Sequence, residues 1–155
     1  MNFYIMWADH DVARNYWNVH RYKDDNSRLW NGAINWENFR IVVKRVIDQY
    51  FKQPNYLKLE GKPVFSIFSL DNLIKTFGNL EETQKGLIYF EEEVKKAGFP
   101  GLHLQLIAGG MPHETLIKKI ETLKTILFDP VKRAEIGQAP FRGHSSLYLI
   151  CMTVQ

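Results

Sequence analysis

The sequence predicts an α/β fold built on parallel strands, and three observations predict it. Val64-Phe65-Ser66-Ile67-Phe68 is apolar enough to be covered on both faces, as strands are in parallel sheets flanked by helices. One-sided apolar stripes at helical spacing alternate with such runs along the chain. Strand-like runs open near residues 3, 63 and 102, which leaves room for three to four βα units. Repeated βα units with right-handed crossovers give a parallel sheet. Two architectures fit this order: a small doubly wound sheet, and part of a (β/α)8 barrel. A complete barrel needs ~250 residues, and the chain has 155.

Taken in order, Asn2 to Ala8 reads as a buried strand that starts at once. Residues 8 to 35 follow as a long connection without helical or strand periodicity. Loops beyond ~12–15 residues in a compact domain are functional or disordered as a rule. This one holds Tyr16, Trp17, Tyr22 and Trp30, too aromatic for disorder. All four tryptophans fall within the first 36 residues, a compositional pointer to a binding surface.

Asn35 is placed to cap a helix, and Phe39, Val42, Val43, Val46, Ile47 and Tyr50 supply its apolar stripe. Leu57 and Leu59 alternate with Lys58 and Glu60, the period of a half-exposed extended segment. Glu60-Gly61 is a turn, and Pro63 opens the central strand. A short helix carrying Leu70, Leu73, Ile74 and Phe77 follows, with Asp71 as the expected N-cap and Gly78 as the stop. Asn79 caps the next helix with Glu82 at the capping-box position, and Gly98 closes it. Leu102 to Ile107 is the third strand, ending in the turn Ala108-Gly109-Gly110. Pro112 opens a helix burying Leu116, Ile117, Ile120 and Leu123. From residue 125 to 155 the pattern breaks: Ile126 to Phe128 and Leu147 to Val154 are strand-like, with a loop-like stretch between.

Composition narrows the function classes. A hydrophobic content of 45% with 24% charged residues describes an ordinary globular chain. The net charge of +3 is modest and its cations are scattered, so no nucleic-acid partner is expected. The single cysteine, Cys151, excludes an internal disulfide framework and a multi-cysteine metal site. No apolar run approaches the ~18 residues of a membrane span. The first residues lack the marks of a secretory signal, which reads as a cytoplasmic chain. No cofactor and no metal are expected; Asp9-His10-Asp11 is a poor metal site, because adjacent residues on an extended chain diverge.

Three segments then carry a resemblance. M-W-A-D-H-D at Met6 to Asp11, Y-L-K-L-E-G-K-P-V-F at Tyr56 to Phe65 and G-L-H-L-Q-L-I-A at Gly101 to Ala108 resemble the glycoside hydrolase family 99-like group. That group includes endo-α-mannosidases and a lipopolysaccharide-biosynthesis branch. The resemblance covers roughly residues 2 to 124 and implies an incomplete (β/α)8 TIM-barrel-like domain over 1–124, with a divergent tail over 125–155. It also implies action on, or binding of, a glycan or polysaccharide at the C-terminal strand ends. Those ends are Trp7 to Asp11, Phe68 to Asp71 and Ile107 to Gly110. In the lipopolysaccharide branch the first motif commonly reads tryptophan-alanine-asparagine-glutamate-asparagine, where this chain has Trp7-Ala8-Asp9-His10-Asp11.

The candidate carbohydrate-binding residues are therefore Trp7, Asp9, His10, Asp11, Trp17 and Ser69. Tryptophan offers a flat apolar face, and aspartate accepts hydroxyl hydrogen bonds. Against this stand bland roles: Trp7 in the core, Asp9 capping the loop, and Tyr16, Trp17, Tyr22 and Trp30 gluing the loop down. His103 reads as a strand residue of the interior, His113 as a secondary ligand contact and Arg14 as a solvated loop cation. Glycoside cleavage normally needs two opposed carboxyl groups, and the resemblance also implies substrate-assisted routes through the sugar's own 2-hydroxyl in the mannosidases. The branch's asparagine-glutamate-tryptophan-x-glutamate-glycine motif does not occur here, so no catalytic residue is assigned. The expectation is a truncated, glycan-active family member that is inactive alone; the alternative is a non-catalytic remnant or carbohydrate-binding scaffold. Unpaired sheet edges would favour self-association.

Overall fold

The computed structural model describes residues 1–107, 118 and 146–150. The helix after Pro112, the strand at 126–128, the turn at 108–110 and His113 lie outside the described residues. At the centre is the strand Lys62–Ile67, every residue of which is buried, the polar Lys62 and Ser66 included. The elements are, in order, β1 (Ile5–Trp7), β2 (Val12–Ala13), α1 (Arg14–Trp17), β3 (Arg28–Trp30), α2 (Trp36–Arg45), a π-helical turn (Val46–Phe51), β4 (Lys58–Leu59), β5 (Lys62–Ile67), α3 (Leu70–Phe77), α4 (Leu80–Lys96), β6 (His103–Ile107) and β7 (Ser146–Ile150).

The main sheet runs β1-β5-β6-β7 with every neighbouring pair parallel. β4 folds back antiparallel on β5 as a hairpin. Its turn residues Glu60 and Gly61 have φ of 52° and 78°, the paired positive values of a tight hairpin turn. The chain is thus a mixed α/β fold compatible with an incomplete βα array, and no barrel closes among the described residues. β7 pairs in register with β6 from His103–Ser146 to Ile107–Ile150, so this part of the tail joins the sheet.

The tyrosine of the Y-L-K-L-E-G-K-P-V-F segment is a tie between strands. Tyr56 Oη accepts from Ile5 N–H at 3.3 Å and donates to the Val64 carbonyl, joining β1 to β5. Burial pushes this phenol up to about 12, so it stays protonated and keeps donating.

One sheet face carries the helices. Phe65, Ile67 and Leu104 meet Phe39, Val43, Val46, Ile47, Phe51, Leu73, Leu87, Phe90 and Val94 in one core. The π-helical turn interrupts the stripe begun in α2 and delivers Phe51 into this core with no exposed surface. Gly86 of α4 leaves room for the Phe77 ring of α3, since a Cβ there would stand 2.3 Å from Cζ. On the opposite face the alternate residues are more polar: Ser66 Oγ donates to Gln105 Oε1 at 2.8 Å. His103 is buried on this face, and burial first, then the Lys62 charge, hold its imidazole below the usual value.

Three expectations are corrected. The N-terminal strand is not buried: Phe3, Tyr4 and Met6 are exposed and only Ile5 and Trp7 turn toward the core, because β1 has one described neighbour and helices on one face. The 8–35 connection is not without regular structure, since it contains β2, α1 and β3. The N-cap of α3 is Ser69, not Asp71: the Ser69 hydroxyl accepts from Asn72 N–H at 3.2 Å, and Asp71 sits exposed in the first turn. A cap must precede the first helical residue, and Leu70 is already helical.

Candidate functional site

β1 leaves the sheet at Trp7, whose carbonyl accepts the Phe68 N–H at 3.0 Å as the last rung beside β5. The next residues cross the C-terminal end of β5. Asp9 is buried there at 2% exposure, and its Oδ1 accepts from Ser69 N–H at 2.6 Å. Its Oδ2 is buried without a hydrogen-bond partner among the described residues. Burial therefore dominates and pushes the carboxyl up to about 7, against the lowering effect of the N–H groups of Ser69, Asp9 and Phe68.

Asn72, buried on the first turns of α3, extends this contact. Its Nδ2 donates to the Asp9 carbonyl at 2.7 Å and to Asp11 Oδ1 at 3.3 Å. Asp11 Oδ1 also accepts from Gly32 N–H at 2.9 Å. Asp11 Oδ2 lies 3.1 Å from Arg28 Nη2 and 3.9 Å from Lys75 Nζ. The Gly32 N–H, then the charges of Arg28 and Lys75, hold this carboxyl below the usual range.

These bonds fasten a strap, residues 12–34, across the strand ends. Inside it β2 and β3 pair antiparallel, Val12 opposite Trp30 and Ala13 opposite Arg28, and Arg14 bridges to Asp25 at 3.3 Å. At its far end Ile34 N–H donates to Thr76 Oγ1 of α3 at 3.1 Å. Gly32 lies so close to the β1 extension that a Cβ would stand 1.9 Å from the Asp9 carbonyl oxygen. Only a residue without a side chain fits, which is a demand of space rather than of φ.

The structure brings Asp9, His10, Asp11 and Ser69 together at one strand end. His10 is exposed and sets its ring against Phe68, centroids 5.3 Å apart. Ser69 is partly buried and its hydroxyl serves α3 as cap. Trp7 stands apart, on the helix side of β1, packed on Phe39 at 6.1 Å. Trp17 closes α1 within the strap. Of the loop aromatics, Tyr16 and Trp30 are exposed, whereas Tyr22 lies under the guanidinium groups of Arg14 and Arg21. Arg14 itself is tied to Asp25 rather than solvated alone.

Sequence reasoning missed Asn72, Lys75, Arg28 and Gly32. Asn72 and Lys75 follow Ser69 at successive spacings of three, the spacing that puts helix residues on one face over a strand end. Asn31-Gly32 is a turn pair within the long connection. Arg28 carries no such signal, because its partner Asp11 is set by tertiary contact. Among the described residues no group of three or more His, Cys, Asp or Glu is arranged to hold a metal ion. None of the described helices is long and apolar enough to cross a membrane.

Compared with known proteins, the chain matches the family described as Glycosyltransferase WbsX over residues 1–144. No curated protein and no solved structure matches it.

Proposed function

Since the chain belongs to the WbsX glycosyltransferase family, a glycan-related family matched over residues 1–144, we propose that it binds a glycan across the C-terminal ends of β1 and β5. Family membership supports the ligand class. The observation that carries the location is the bond from Ser69 N–H to Asp9 Oδ1, which joins the ends of two adjacent parallel strands into one surface. Ligands of parallel α/β sheets meet such ends. His10 and Phe68 offer an imidazole and a partly exposed ring beside that bond.

In this reading the chain by itself holds glycan and does not turn it over. The two carboxyls on the β1 extension are committed to the protein: Asp9 to Ser69, and Asp11 to Gly32, Asn72, Arg28 and Lys75. Glycoside cleavage normally uses a carboxyl pair free to face the scissile bond from both sides. Cleavage of the endo-α-mannosidase kind is the second reading, favoured by Asp9, whose pKa of about 7 is that of a general acid. The test is binding and turnover by the purified chain against α-mannosides and a panel of bacterial polysaccharides. Binding weakened by His10→Ala, without product, is expected. No binding to any glycan would overturn the proposal. Turnover abolished by Asp9→Asn would establish the second reading in its place.

A further inference from the structure

Of Asp9, His10, Asp11 and Ser69 at the strand end, His10 alone is exposed, and the residues on either side of it are tied to one buried amide. Asn72, 4% exposed, donates through Nδ2 to the Asp9 carbonyl at 2.7 Å and to Asp11 Oδ1 at 3.3 Å. Its Oδ1 accepts from Lys75 Nζ at 3.0 Å. Those partners permit one orientation of the amide. Turned over, it would set oxygen against two oxygen acceptors and N–H against an ammonium. Gly32 closes in on the same Asp9–His10 peptide, since a Cβ there would stand 1.9 Å from the Asp9 carbonyl oxygen and 2.7 Å from the His10 carbonyl carbon. Phe68, the ring partner of His10, is fixed to the same block: its N–H bonds the Trp7 carbonyl, and the next N–H, of Ser69, bonds Asp9 Oδ1. Fastening the strap does not account for all of this. The Asp11–Gly32 and Ile34–Thr76 bonds reach the strap, whereas the bond from Asn72 to the Asp9 carbonyl touches no strap residue and holds the peptide that leads into His10.

Resting on the glycan reading above, we propose that Asn72 is a positioning residue for ligand binding: with Gly32 it clamps the Asp9–His10 peptide, so that the imidazole is already set against Phe68 when the glycan arrives. A side chain held in place beforehand spares the ligand the entropy cost of ordering it. Asn72 itself does not contact the ligand, and its effect on affinity passes through His10.

The experiment uses the full chain and the α-mannosides and bacterial polysaccharides named above. In the ligand-free parent, NMR is expected to show ring-to-ring NOEs between His10 and Phe68, and Asn72→Ala to lose them. Asn72→Ala should weaken binding roughly 3- to 10-fold, the cost of ordering one side chain. In a His10→Ala background it should weaken binding no further, because nothing is left to position. A merely structural role would add its loss to that of His10→Ala. Gly32→Ala disturbs the clamp from the strap and should show the same dependence on His10, so the test stands even where Asn72→Ala fails to fold. Val94→Ala opens a cavity in the core at the end of α4 that leads toward β6; it should lower the melting temperature and leave affinity unchanged. Ring contacts that survive both clamp variants, additive losses, or an equal loss in Val94→Ala overturn the proposal. If no probe binds, the glycan reading falls and the ring contacts decide the clamp: lost in the variants they uphold it, kept they overturn it.

Discussion

At the scale of single residues, Asp9 ties stability to pH, and the sign follows from which state holds the proton. In the unfolded chain its carboxyl ionises near 3.8; in the fold it keeps the proton up to about 7. Between those values the folded chain binds more protons than the unfolded one. The stabilisation from the protonated acid is complete at the acidic end and is lost as pH rises through about 7. The effect is on the order of a few kcal/mol. Asp9→Asn keeps an acceptor for the Ser69 N–H without the ionisation, and asparagine is what the resembling lipopolysaccharide-branch motif has at this place. The variant should show a flat melting temperature between about pH 5 and pH 8 where the parent declines. Parallel profiles would remove Asp9 as the cause. Gly32 gives a second residue-level expectation. Gly32→Ala forces its methyl group into the Asp9 carbonyl, so the strap must lift. A loss of about 1–3 kcal/mol is expected, with faster amide exchange confined to residues 12–34; unchanged exchange would sink the close-packing account.

At the scale of elements, the helices were legible and the strap was not, for a physical reason. α4 declares itself locally: Asn79 accepts from Glu82 N–H at 2.8 Å, as the spacing of the two residues anticipates. α3 is also local, but Ser69-Leu70-Asp71 contains two residues of capping type, and only the backbone chooses between them. Ser69→Ala should lower stability by about 1 kcal/mol through the lost cap, and Asp71→Ala by less, as a first-turn acid interacting with the helix dipole. The reverse order in chemical denaturation would return the cap to Asp71. In the strap, β2 and β3 are two and three residues long. Nothing so short has a period to read, and its shape is imposed by Asp11, Gly32 and Asn72 from outside. The exposure of β1 was illegible for a related reason. Phe3, Tyr4, Ile5, Met6 and Trp7 are all apolar, so composition does not reveal that alternate residues face open space.

At the scale of the whole molecule, the parallel sheet follows from features that are long in sequence: a mostly apolar, wholly buried β5, and amphipathic helices on either side of it in the chain. The candidate site is legible only in its strand-end half, Asp9, His10, Asp11 and Ser69, because strand ends can be inferred from strands. Its second half, from the strap and α3, depends on how the chain returns over those ends.

The Asp9–Ser69 bond spans 60 residues of sequence, and β1 pairs with β5 across the same distance. During synthesis at ~5–20 residues per second, β1 would wait roughly 3–12 s for its partner strand to be made. Through that interval Ile5, Met6 and Trp7 lack their β5 partners, and the carboxyl of Asp9 lacks the Ser69 N–H. The birth of β5 therefore does two things together: it gives β1 the strand it pairs with, and it supplies the Ser69 N–H over which the Asp9 carboxyl is buried.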